Sequence, residues 1–149
     1  MTSLQRLTLI FALSFSTLGL CAAPDLVLDN AWIRATPPNA RVAGAFLTLE
    51  NTGTSADRLL SVSTEAAVRV EMHEMKMQGE MMQMRELKDG LALPAKHTVA
   101  LRPGGIHLML IEPKQPIAEG QRVPLIFHFE KAGDRTVQFI GRKNAPDHK

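Results

Sequence analysis

Residues 72–84 read MHEMKMQGEMMQM and hold six of the eight methionines in the chain. How these thirteen residues fold decides the reading of the rest. Gly79 tolerates the backbone angles of a tight turn, and on either side of it methionine alternates with polar residues, the period of a strand. The stretch therefore reads as a β-hairpin. With Gln78–Gly79 as the tip, His73 faces Met84, Met75 faces Met82 and Met77 faces Glu80. Side chains alternate across a strand, so His73, Met75, Met77, Met82 and Met84 share one face. Met72 and Met81 point the other way and read as structural.

Working outward, similar alternating runs occupy 25–34, 42–51, 58–64, 68–77, 81–87, 98–102, 106–112, 122–129 and 135–141. Turn signals separate them: TPPNA, NTGTSAD, KDG, RPGG, IAEG and KAGD. No long helical periodicity interrupts the series. Many short strands with few helices define an all-β, antiparallel sandwich or barrel in a single domain.

The chain ends differ from this body. Arg6 precedes the uncharged run LTLIFALSFSTLGL (7–20), and the small residues of CAAP follow. That is the layout of a secretory signal peptide, with an apolar run short for a membrane span. Residues 1–23 are read as signal peptide, 24–141 as the β domain, and 142–149 (RKNAPDHK) as a polar tail. Leu20, bulky before Cys21, argues against lipidation there. Cys21 is the only cysteine, so a mature chain cleaved beyond it has no thiol chemistry and no disulfide. The formal charge is +2 and the basic residues are scattered, which gives no footprint for nucleic acid.

A second stretch, RPGGIHLML (102–110), places His107 and Met109 two apart on one strand, hence on one face. With His73 and Met84 they make a set of two imidazoles and two thioethers. Thioether sulfur is a soft neutral donor and selects Cu(I), which imidazole also suits. Blue-copper electron transfer needs a cysteine ligand. Neutral donors hold the ion less firmly than thiolates, which favours carriage over permanent structural binding.

On these residues the chain resembles the periplasmic copper chaperone family written PCu(A)C, across about Leu26 to Ile140. The segments that carry the likeness are AWIRATPPNARVAGAFLTLENTG, RLLSVSTEAAVRVEMHEM, GEMMQMRELKDGLALPA and LRPGGIHLMLIEPKQPIAEG. The family motif is a histidine, ten residues, a methionine, about twenty-one residues and then His-x-Met; here ten residues separate His73 from Met84 and twenty-two separate Met84 from His107. The extra residue is placed in the LKDG turn. The resemblance implies a cupredoxin-like sandwich or Greek-key barrel, with His73, Met84, His107 and Met109 binding Cu(I). It further implies a periplasmic protein that delivers copper towards cytochrome c oxidase or its assembly factor, and the chain is expected to be a monomer.

Each residue also has a plainer reading. Methionine fills irregular core gaps more often than it binds metal. Met75, Met77 and Met82 are either auxiliary copper ligands or exposed hydrophobes of a docking patch. His97 reads as a solvated turn residue, and His128 as an outward strand residue between inward Phe127 and Phe129. His148 in the tail is a weak Cu(II) ligand or a solvated side chain. Trp32 reads as packing, and Glu71 and Glu74 as flanking charges. Three functions compete: a copper carrier, a copper-sequestering protein, and a metal-free adaptor with a methionine patch. An enzyme is least favoured, because no nucleophile with a paired base is legible.

Overall fold

The alternating runs form ten strands in the computed structural model, which describes residues 25–146. They are β1 (Leu26–Arg34), β2 (Val42–Asn51), β3 (Asp57–Ser63), β4 (Ala67–Gln78) and β5 (Met81–Glu86). Then come β6 (Leu91–Leu93), β7 (His97–Leu101), β8 (Ile106–Pro113), β9 (Arg122–Phe129) and β10 (Gly133–Arg142). The expected signal peptide and His148 lie outside the described residues. The short β6 escaped the sequence reading, because three residues between Gly90 and Pro94 are too few to show a period.

The strands follow one hydrogen-bonded path, β5-β4-β8-β2-β1-β10-β9-β3-β6, with β7 paired to β2. The path wraps round a single apolar cluster to which every strand except β5 contributes. β9 shows how the alternation builds it: Val123, Leu125, Phe127 and Phe129 are buried while the residues between them are not. Phe127 stacks on Phe139 with ring centroids 6.0 Å apart.

One pair departs from the antiparallel expectation. β1 and β10 run parallel, with Trp32 beside Ile140. The first and last strands meet in the middle of the path, and no hairpin constrains their relative direction. The fold is therefore an all-β single domain with a mixed sheet.

β4 behaves differently along its length. Its first half is anchored between β8 and the core, with Ala67 and Met72 buried, whereas Lys76, Met77 and Gln78 are exposed. Every residue of β5 is exposed. The β4–β5 hairpin thus runs off the edge of the body and carries its apolar side chains into solvent.

Two glycines test this description. A Cβ on Gly141 would lie 2.0 Å from the Ala118 carbonyl oxygen, whereas one on Gly79 meets nothing within 4 Å. Gly141→Ala is expected to lower the unfolding free energy by about 3 kcal/mol or more, the upper end of overpacking costs. Gly79→Ala, with only its φ of 64° opposed, should cost about 1 kcal/mol. Urea melts followed by circular dichroism measure both.

Candidate metal centre

β4 lies between β5 and β8, so His73 has a neighbour on each side. Across β8 it stands directly opposite His107, and across β5 opposite Glu86. The second pairing corrects the expectation that His73 faces Met84. The loop is Gly79–Glu80, not Gln78–Gly79, and Gln78 pairs with Met81. A positive φ at Gly79 followed by an ordinary one at Glu80 suits a two-residue hairpin loop with glycine first. Met75 therefore faces Met84, and Met77 faces Met82. The shift moves every partner by two positions, so each side chain keeps its face.

His73, Met84, His107 and Met109 accordingly share one face, as do Met75, Met77 and Met82. Met109 sits opposite Glu71, one step along β8 from His107, and Met84 sits one step along β5 from Glu86. Both methionines are diagonal neighbours of His73, at about 7–8 Å between backbones, within reach of a long flexible side chain. The two histidines are buried, Met109 is half-buried and Met84 is 50% exposed.

Hydrogen bonds fix which nitrogen of each ring is free. The imidazoles meet edge to face, with centroids 5.8 Å apart. His107 Nδ1 donates to the Gly105 carbonyl at 3.0 Å, which leaves Nε2 as the lone pair. His73 Nε2 donates to Glu71 Oε2 at 2.9 Å. Its Nδ1 is buried with no hydrogen-bond partner, a costly state for a polar atom unless something else binds it. The Arg69 guanidinium, 2.6 Å from Glu71, holds that carboxyl below the ordinary carboxylate value; the His73 bond acts in the same direction and partial burial opposes both. Glu71 is thus kept ionised as an acceptor for His73.

The Gly105 carbonyl also accepts from the Met75 amide at 3.3 Å. One turn oxygen therefore sets the tautomer of His107 and ties β4 to the RPGG turn. On the other flank, Phe46 lies 6.5 Å from His107 and 4.5 Å from Trp32, ring centroid to ring centroid. Aromatic rings thus shield His107 from the β2 side. Gly44, opposite Met109, leaves room for the Phe46 ring, whose Cζ would be 3.0 Å from a Cβ there. Among the described residues no three His, Cys, Asp or Glu side chains converge as a metal-binding group.

Other singled-out residues fall elsewhere. Met72 is core, and Met81 is 68% exposed on the opposite face of the hairpin. His97 is exposed and bonds the Ala95 carbonyl. Phe127 and Phe129 are buried on either side of His128, as expected. His128 points outward, as expected, and bridges Ser63 Oγ (2.9 Å) and Asp134 Oδ1 (2.8 Å). A hydroxyl, an imidazole and a carboxylate are therefore aligned. They lie across the outer surface of β3, β9 and β10, and tie those strands together. Sequence reasoning also missed the bond from His73 to Glu71 and the shielding by Phe46. Spacing could have found the first, since Glu71 lies two residues from His73 on one strand face.

The fold is that of a PCuAC domain. The copper-bound PCuAC domain from PmoF2 superposes with a TM-score of 0.68 at 23% identity, covering 83% of this chain and 97% of that one. The solution structure of Cu(I)-DR1885 from Deinococcus radiodurans superposes at 0.67 with 28% identity, over 85% of this chain and 84% of that one. The family model described as "Putative lipoprotein LpqE-like" matches residues 26–140, and the chain belongs to that family. A curated relative from Leifsonia xyli subsp. xyli (strain CTCB07), described as "Putative lipoprotein Lxx21020", is 30% identical over 107 residues, 72% of this chain and 63% of the relative. The chain thus spans less than two thirds of that relative's length.

The hydrogen bonds make a prediction that needs no metal. Nitrogen-15 NMR of the neutral imidazoles should find His73 in the Nε2–H tautomer and His107 in the Nδ1–H tautomer. The same tautomer in both rings would contradict the geometry.

Proposed function

We propose that this protein is an exported carrier of Cu(I). The observation that carries the reading is the buried histidine pair, in which His73 Nδ1 has no partner and His107 Nε2 is left free. Thioethers of Met109 and Met84 stand diagonally on either side of it. Two imidazoles and two thioethers are a neutral set suited to Cu(I), and two of the similar solved proteins are described as copper-bound. The ion is cargo, and carrying it requires no redox step of the protein.

The residues divide the work. His73 and His107 would supply nitrogen from a shielded position with their tautomers already set, which lowers the reorganisation needed for binding. Glu71 would orient His73 and raise its donor strength, as carboxylates behind metal-bound histidines do. Met109 would close the shell from the body of the sandwich. Met84, on the exposed hairpin, would be the ligand nearest an incoming partner, and release proceeds one ligand at a time. The recipient we assign is a copper-receiving protein of the envelope, cytochrome c oxidase or an assembly factor, following the family resemblance. Lys and Arg scattering gives no reason to add a nucleic acid, and the carrier is taken to act as a monomer.

Export rests on the expected signal peptide and on the lipoprotein description of the family. A soluble periplasmic form follows from cleavage near Ala22 or Ala23. The mass of the mature chain tests this. A chain starting at Ala23, Pro24 or nearby agrees, and a diacylglyceryl mass on Cys21 would replace the soluble form with a lipid-anchored one.

The carrier reading is tested by anaerobic Cu(I) titration of the mature protein against a competing chelator. The tightest equivalent should weaken about 100-fold or more in His73→Ala/Met109→Leu, beyond the usual effect of an outer-shell change. Met84→Leu should keep the fold, being similar in volume, while weakening the same equivalent. Binding unchanged in the double variant would remove the reading.

A further inference from the structure

The hairpin beyond the histidine pair has a face that the carrier site does not use up. Met75 stands opposite Met84 and Met77 opposite Met82, so four thioethers occupy two adjacent cross-strand pairs. Directly opposed side chains on one face start about 4.5–5.5 Å apart at Cβ, and methionine is unbranched and flexible. Their sulfurs can therefore converge. The register matters here, because a Gln78–Gly79 tip would have placed the Glu80 carboxylate opposite Met77.

Packing does not explain these methionines. Met77, Met82 and Met84 are 58%, 54% and 50% exposed, and among the described residues β4 is the one strand paired with β5. The two faces of the hairpin are also sorted by chemistry. The opposite one carries Glu74, Lys76, Gln78, Gln83 and Arg85, with Arg85 bonded to Glu74 at 3.0 Å, and Met81 is its one exposed thioether, since Met72 is buried in the core. An apolar docking patch works as well with leucine, isoleucine or phenylalanine, yet at these four positions every residue is methionine. Sulfur is the property they share, and sulfur distinguishes a soft-metal site from a greasy surface.

We propose that Met75, Met77 and Met82 form a second Cu(I) position, held by thioethers alone, with Met84 shared between it and the histidine pair. Its donors are weaker and more exposed than the imidazoles, so it is the outer and looser of the two. An ion arriving at the hairpin binds there and moves inward as His73 and His107 replace the sulfurs, with Met84 bound throughout. Departure reverses the order. Copper stays Cu(I) at each exchange, and no proton or electron is transferred. The proposal depends on the carrier reading only for the shared role of Met84.

The test counts ions on the mature chain, using native mass spectrometry with Cu(I) under nitrogen and with Ag(I) as a redox-inert probe. Methyl and imidazole NMR report where each ion sits. The wild type should take two ions. Met77→Leu/Met82→Leu should take one, which still shifts the imidazole signals of His73 and His107. His73→Ala/His107→Ala should also take one, which shifts the methyl signals of Met77 and Met82. Leucine at these exposed positions leaves the fold intact. A wild type that binds one ion, lost only in the histidine variant, overturns this proposal and leaves the carrier reading standing. A leucine variant that binds as many ions as the wild type but no longer passes copper to a recipient also overturns it, and makes the face a docking surface. A chain that binds no ion overturns both readings.

Discussion

The pairing of His73 with His107 on adjacent strands is the constraint on which the rest of the site depends. A strand register can be held strictly only where one face is buried, because a one-residue slip would expose the core set. Here Met72 and Leu108, the next pair along, are buried on the core face. The apolar core therefore fixes, from behind, which two imidazoles meet in front. Once they meet, the Gly105 carbonyl and the Glu71 carboxylate each claim one ring nitrogen, which leaves the lone pair on His73 Nδ1 and His107 Nε2. Burying His73 Nδ1 without a hydrogen-bond partner carries a cost that the core has to offset.

The second consequence is a division between a stiff half and a loose half. β8 is held on both sides, by β4 and β2, and Phe46 and Trp32 back it. His107 and Met109 thus sit on the most constrained strand of the site. Among the described residues β5 has β4 as its sole strand neighbour, and every residue of β5 is exposed. The donors grade outward from shielded nitrogen to exposed sulfur along one face. For a carrier that gradient has a use, because tight binding and easy release conflict if all ligands are equally fixed.

Much of this was legible from residue spacing, and the misses have physical causes. The strand boundaries of β2 and β9 follow directly from alternation bounded by turn residues. Which face each methionine takes was also legible, because face depends on parity alone. Partner identity depends on the tip of the turn. Moving the loop from Gln78–Gly79 to Gly79–Glu80 preserves parity but replaces Met84 with Glu86 opposite His73. Sequence offers both tips, since glycine suits either loop position, and only the backbone angles choose between them. The Ser63–His128–Asp134 alignment was hidden for a different reason: Ser63 and His128 are 65 residues apart, and only the sheet order brings β3 beside β9. The parallel β1–β10 contact is long-range in the same way.

The central claim is that buried imidazoles and thioethers bind one Cu(I) together. X-ray absorption at the copper edge, on protein loaded anaerobically with a single equivalent, tests this most directly. The account predicts a mixed shell, with nitrogen scatterers showing imidazole multiple scattering beside sulfur at a longer distance. A shell of sulfur alone, or of nitrogen and oxygen alone, would contradict it.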